Sequence, residues 1–383
     1  MIPVPGVEGI WAALPEARIA GGAVRDALLG VAVSDVDFAA PLSPETVMQR
    51  LKKAGIKSVP TGLAHGTVTA VIGKHGFEIT TLRRDLETDG RHAVVAFTDD
   101  WQADAARRDF TINAMSMTQD GTVFDYFDGQ ADLRAGTLRF VGAAETRIAE
   151  DYLRILRFFR FFARYARNGP DAEAIAAIEK LRDGVKTLSA ERVWSEMKRI
   201  LAAADPRAAI ALMQQLGVLP LIFPEGANIP ALNRLVESGA PAEPMLRIAA
   251  LFDGDAKSFA ARLKLSGGEQ ELLRSYNNPA GLQPAANDAD LRRALAEAPA
   301  EILIARSWLA QNGETGWEEL RSRIATVPRP VFPLQGRDLV ALGIPAGPLV
   351  GEILEAVRHW WWQNGCTDDR DACFAQVHRL RGG

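Results

Sequence analysis

The segment GGAVRDALLGVAVSDVDFAA, residues 21–40, holds the densest chemistry in the chain. Gly21-Gly22 stand between a strand-like run and a helical one, where backbone N–H groups can meet phosphate oxygens. Arg25, one turn further on, adds a fixed positive charge. Asp35 follows Gly22 by 13 residues, and Asp37 lies just beyond Val36. On a strand, residues two apart project to one face, so both carboxylates point the same way. Two hard oxygen donors on a rigid strand suit Mg²⁺, which takes a few carboxylates plus substrate phosphates. Glu78, between Phe77 and Ile79, offers a third carboxylate. Three converging carboxylates can hold two metals, one activating a hydroxyl and one neutralising a leaving pyrophosphate. Taken singly, Gly-Gly reads as a turn and Asp-x-Asp as a solvated loop. In this order and spacing they read as nucleotidyl transfer.

A second basic element follows at EDYLRILRFFRFFARYA, residues 150–166. At 100° per residue Arg154, Arg157, Arg160 and Arg164 fall within a band of about 120°. From Glu150 to Arg167 there are five arginines and two acids, a local net charge of +3. Phe158, Phe159, Phe161 and Phe162 would bury much of the rest, so in isolation the segment reads as a core helix with solvated arginines. Asp151 with Arg154 changes that balance, because residues three apart are neighbours on a helix face. A carboxylate accepts from an exocyclic amine, while an arginine donates to ring nitrogens or carbonyls. Cytosine and adenine both offer an amine beside an acceptor; guanine and uracil place a carbonyl where the carboxylate needs a donor. An Asp/Arg pair can therefore admit C and A and reject G and U without a template.

The first ~140 residues supply the elements that position these groups. ARIA (17–20) and VDFAA (36–40) read as strands, PETVMQRLKKAG (44–55) as a helix, and TVTAVIG (67–73) with FEITTL (77–82) as a hairpin turning at Lys74-His75-Gly76. The polar stretch with Asp85, Glu87, Asp89, Gly90 and Arg91 reads as a mobile loop. From about Glu145 strand signals nearly vanish. Helical segments such as AERVWSEMKRILAAA (190–204) and PRAAIALMQQLG (206–217) take over, with polar, Pro-containing stretches near 276–287 and 326–336. Glu191, Arg192 and Glu196 read as ion-pair braces.

Lys plus Arg is 44 and Asp plus Glu is 48, a formal net charge of −4, so any contact with nucleic acid must come from a local basic patch. The two cysteines, Cys366 and Cys373, are spaced for neither a zinc knuckle nor a disulfide framework and read as reduced thiols. No apolar run is long enough to span a bilayer, and MIPVPGVEGIW lacks the features of a signal peptide, so a cytoplasmic location is expected. None of the five histidines precedes an aspartate; His65-Gly66 and His75-Gly76 read as turn features. The run Trp360-Trp361-Trp362 cannot lie on one helix face and reads as partly packed.

GGAVRD followed by SDVDF resembles the polymerase-β-like nucleotidyltransferase superfamily. RRDFTINAM (107–115), FDYFDGQADL (124–133), EDYLRILRFFRF (150–161) and AERVWSE (190–196) resemble successive motifs of its class II tRNA nucleotidyltransferase/poly(A) polymerase branch, and LQGRDLVALGIPAGPLVGEIL (334–354) resembles that branch's C-terminal region. The resemblance implies metal ligands at Asp35 and Asp37, with Glu78 as third carboxylate. It implies nucleotide contacts at Gly22, Arg25, Arg108, Asp151, Arg154, Arg157 and Arg160. The stretch after Arg84 resembles the flexible element that members use when switching from C to A, which counts against a CC-only enzyme.

The expected fold class is α+β. A small mixed α/β nucleotidyltransferase head (1–140) precedes a helical neck (141–205), a helical body (206–325) and a tRNA-binding tail (326–383). The expected function is template-independent addition of CCA to tRNA from CTP and ATP with Mg²⁺. Rival readings are a poly(A) polymerase, an A-only adding enzyme and a non-catalytic RNA-binding protein. The last would be expected to lack Asp35 or Asp37, and both are present.

Overall fold

A computed structural model describes residues 4–382 except Ser34, 89–92 and 279–280. The chain divides into two compact units, residues 1–224 and 225–383. In the first unit a seven-stranded sheet has the order β3-β4-β5-β2-β1-β8-β9. Its strands are β1 (Arg18–Ala20), β2 (Asp37–Ala40), β3 (Lys57–Gly62), β4 (Thr67–Ile72), β5 (His75–Thr81), β8 (Ser116–Met117) and β9 (Val123–Phe124); β6 (Arg83–Thr88) and β7 (Ala93–Phe97) form a separate ribbon. Neighbouring strands run antiparallel apart from β2 and β5, whose parallel register sets Asp37 against Glu78. Alternation decides the faces: Phe38, Phe77 and Ile79 turn into the core, and Asp37 and Glu78 turn out.

Three features differ from expectation. The polar loop expected after Arg84 is an antiparallel ribbon for residues 83–88 and 93–97, because Val94 and Val95 give it a β-branched partner strand; Asp89, Gly90 and Arg91 lie outside the described residues. The β4–β5 turn falls at Gly73-Lys74, one residue early, since Gly73 supplies the positive φ of 62° and Ile72 pairs with His75. An unforeseen strand, β3, carries Pro60, which a ladder tolerates at the sheet's edge.

The helices of the first unit are α1 (Val7–Ala13), α2 (Gly22–Leu28), α3 (Pro44–Lys53), α4 (Trp101–Ala106), α5 (Gly129–Ala135), α6 (Ala144–Glu150), α7 (Leu153–Tyr165), α8 (Ala172–Leu181), α9 (Ala190–Leu201), α10 (Arg207–Gln215) and α11 (Leu219–Ile222). The expected helix over 150–166 is broken at Asp151, whose extended backbone (φ −157°) ends α6; Tyr152 is the N-cap of α7, and the Asp151 carboxylate accepts from the N–H of its first residue, Leu153, at 3.0 Å. Phe158 and Phe159 are fully buried, Phe158 stacking on Phe140 beside Phe110 and meeting Phe159 edge-on, so the aromatic side of α7 is core and the arginine side faces elsewhere. Arg160 donates to Glu196 at 3.0 Å and Arg192 to Asp151 at 2.7 Å, two ion pairs that join α9 to α7 and its cap.

Described strands are confined to the first unit; the second is helical, from Ile229–Glu237 to Arg370–Gly382. The described residues of 277–287, and residues 327–335, lie between helices there. Trp361 is buried with its indole N–H donating to the Asp368 carbonyl, whereas Trp362 is half-buried between His359 and Arg293. Cys366 and Cys373 are buried free thiols in the same cluster, and burial pushes Cys373 up to about 11. No helix among the described residues is long and apolar enough to cross a membrane.

A single methyl group tests the packing beneath the sheet. A Cβ on Gly129 would stand 2.3 Å from the Thr111 carbonyl oxygen, a backbone atom that cannot step aside. Gly267, at the start of Gly267–Tyr276, has open space around it. Gly129→Ala should cost about 1–3 kcal/mol from overpacking, a fall of several degrees in Tm. Gly267→Ala should be neutral or slightly stabilising. Equal melting temperatures for the two variants would refute this packing.

Candidate functional site

Between the outward face of the sheet and α7 lies a cavity of about 980 Å³. Gly22, Arg25, Asp35, Asp37, Glu78, Arg108, Asp151, Arg154, Arg157 and Arg160, all ten residues singled out in the sequence, line it. Arg164, expected on the same basic face, is exposed and does not. At the turn into α2, Gly21 has φ 72° and a Cβ there would meet the Arg108 guanidinium at 2.9 Å. Only glycine combines that backbone with that approach.

Asp35, Asp37 and Glu78 form the acidic wall. Burial and the charges of Glu78 and Asp35 raise the Asp37 carboxyl above its ordinary value, against the opposing pull of Arg108. These are crowded like charges, and the donors are all hard oxygens. No three His, Cys, Asp or Glu side chains among the described residues enclose a metal site on their own. An open set of carboxylates fits a hard divalent cation that completes its shell with water and substrate phosphate.

The opposite wall is basic. Nine arginines line the cavity, and eight of them share six carboxylates. Arg25 donates to Asp26 at 2.9 and 3.0 Å and to Asn113 at 2.6 Å, with its guanidinium 4.3 Å from the Tyr165 ring. Asn113 donates in turn to Asp109 at 3.1 Å, and Asp109 accepts from Arg157. Burial works against the Asp109 charge, but Arg157, Asn113 and the Phe110 N–H outweigh it and hold the carboxyl low. Arg154 is fixed by Glu150 at 2.5 Å and by the carbonyls of Arg147 and Arg107 at 2.7 and 3.1 Å. Arg160 is nine-tenths buried; burial and the nearby Arg157 bring its pKa down to about 10 in spite of Glu196.

Several lining residues escaped the sequence reading. Asp109 and Asn113 lie within RRDFTINAM, and a polar residue in a run that otherwise buries was their available signal. Arg192 reads as a brace in sequence; it is one, and it also faces the cavity beside Asp151. His65, which reads as a turn feature, closes a short turn (Leu63–His65) and lines the cavity. Arg107 opens the same RRDFTINAM motif, whereas Arg83 and Arg199 carry no distinguishing signal.

Comparison with known proteins gives this geometry a family. Residues 17–139 match the "Poly A polymerase head domain", and residues 170–229 match the "Probable RNA and SrmB- binding site of polymerase A". The chain is 39% identical over 384 residues to the mitochondrial CCA tRNA nucleotidyltransferase 1 of Mus musculus, covering 95% of this chain and 87% of the relative. It is 31% identical over 371 residues to the CCA-adding enzyme of Geobacillus kaustophilus, covering 89% and 87%. The crystal structure of the Bacillus stearothermophilus CCA-adding enzyme in complex with CTP superposes with a TM-score of 0.77 at 26% identity, over 99% of this chain and 98% of that one. By cavity, fold and sequence alike, the chain belongs to the tRNA nucleotidyltransferase/poly(A) polymerase family of metal-dependent nucleotidyltransferases.

Proposed function

We propose that this protein adds CCA to the 3′ end of tRNA from CTP and ATP, releasing pyrophosphate, with no nucleic-acid template. The observation that carries the reading is one cavity in which a carboxylate trio faces an arginine wall containing Asp151 and Arg154. Asp35 and Asp37, with Glu78 beside them, would hold Mg²⁺. The chemistry such a cation supplies is activation of the attacking 3′-hydroxyl and neutralisation of the leaving pyrophosphate. Arg25, Arg108, Arg157 and Arg160 bind the triphosphate as fixed charges already held in place, so little is reorganised when the nucleotide enters.

Base choice falls to Asp151 and Arg154. The Asp151 carboxylate is held between the Leu153 N–H and Arg192, and its remaining lone pairs accept from the exocyclic amine of C or A. Arg154, clamped by Glu150, donates to the acceptor beside that amine. RNA is held by shape and backbone, since an A-form duplex offers little readable sequence. The helical body and the tail around 334–354 are the surface we assign to it. Two buried free thiols suit a reducing compartment, and a cytoplasmic location is part of this reading.

The direct test uses tRNA transcripts lacking CCA, or ending in C or CC, each incubated with one nucleotide at a time. Two cytidines and one adenosine should be added, and addition should then stop. A run of adenosines, or adenosine addition alone, would refute the reading.

Asp37→Asn should reduce addition of both nucleotides on the order of 10³-fold or more by removing a metal ligand. The same change should raise the Tm of metal-free protein. A carboxyl whose folded pKa is raised contributes stability below that pKa and loses it as pH rises through it, so at neutral pH removing the charge relieves repulsion. A lower Tm for Asp37→Asn in chelator would contradict this electrostatic account.

Asp151→Ala should lose selectivity before stability. Loss of a hydrogen-bond partner costs roughly 1–3 kcal/mol, about 10- to 100-fold in discrimination. Incorporation of U and G should rise relative to C and A in single-nucleotide assays. Unchanged C:U and A:G ratios in a folded variant would show that the base is read elsewhere.

A further inference from the structure

Behind the arginine wall, Asp104 on α4 is almost wholly buried, with 3% of its surface exposed. One of its carboxylate oxygens accepts from the backbone N–H of Arg83 at 3.2 Å and from Nε and Nη2 of Arg107 at 3.0 and 2.8 Å. The other accepts from Nη2 of Arg108 at 3.3 Å. Burial pulls this carboxyl up, but Arg107 and Arg108 outweigh it and keep it below its ordinary value, so it remains an anion. Arg107 and Arg108 are adjacent in sequence and both line the cavity, where their like charges repel. A single carboxylate between them holds both. The Arg107 carbonyl in turn accepts from Arg154.

We propose that Asp104 is a positioning residue for nucleotide binding, presetting Arg107 and Arg108 for the triphosphate that CTP and ATP share. The inference rests on the nucleotidyltransferase reading, in which Arg108 meets the nucleotide. A long guanidinium stem that is ordered in advance loses less freedom on binding, so its anchor acts on affinity. The shared triphosphate dictates that both nucleotides are affected alike. Asp104→Asn is a selective break: with its amide oxygen on the side of Arg83 and Arg107 it keeps those bonds, and it turns an NH₂ group towards Arg108, which has no acceptor.

The test measures kcat and KM for CTP and for ATP on tRNA lacking the appropriate terminal residues, with a thermal melt of each variant. Asp104→Asn should raise KM for both nucleotides about tenfold, the loss of one charged hydrogen bond, with kcat within about threefold. Asp104→Glu, which restores the charge, should recover most of that loss. Arg108→Gln should raise KM at least as much, and adding Asp104→Asn to it should raise KM no further. Unchanged KM values in Asp104→Asn, an effect on one nucleotide only, additive losses in the double variant, or a failure of Asp104→Asn to fold beside a well-folded Arg108→Gln would each overturn the inference. An inactive wild-type protein would instead overturn the underlying functional reading.

Discussion

Mutual repulsion among arginines is the constraint on which the rest of this site depends. Nine guanidinium groups around one cavity cannot be held there by packing alone. Carboxylates from α2, α4, α9, the end of α6 and the residues beside them stand behind the wall and pair with eight of them. Breaking a buried pair by removing one partner costs about 3–5 kcal/mol, because the other charge is stranded. The pairing therefore explains why helices far apart in sequence converge on one spot. Arg157 reaches Asp109 across 48 residues, and Arg160 reaches Glu196 across 36.

The pairing also divides the cavity electrically. Arginines concentrate on that wall, eight of them in the described ion pairs, while Asp35, Asp37 and Glu78 crowd together on the other. A nucleoside triphosphate with a divalent cation carries the complementary pattern: phosphate oxygens for the arginines and a cation for the carboxylates. Asp151 and Arg154 line the same cavity, and in the proposed mechanism they meet the base that the triphosphate brings. On that reading, chemistry and selection both rest on carboxylates and arginines in different surroundings.

Much of this was legible in the chain because it is local. Gly21-Gly22, Arg25, Asp35 and Asp37 lie within 17 residues, and strand periodicity alone puts Phe38 inside and Asp37 outside. What stayed hidden depends on distant partners. Asp104 carries no signal of its own in the sequence; only the fold brings the backbone N–H of Arg83, 21 residues earlier, to its carboxylate. The break at Asp151 is hidden because its neighbours carry helical periodicity on both sides, and only its extended backbone marks it. The stretch with Asp85 and Glu87 reads as a loop because the strand it forms is nearly all polar; backbone pairing with Val94 and Val95 overrides that composition. Arg164 fits the arithmetic of the helix face but lies on its last turn, beyond the reach of the cavity.

The central claim is that protein side chains alone choose the nucleotide. Its most direct measurement is calorimetric binding of CTP, ATP, UTP and GTP to the full-length protein with Mg²⁺ and without RNA. CTP and ATP should bind at least about tenfold more tightly than UTP and GTP, the difference expected from one satisfied hydrogen-bond pair. Four equal dissociation constants would contradict it and move the selection to the RNA-bound complex.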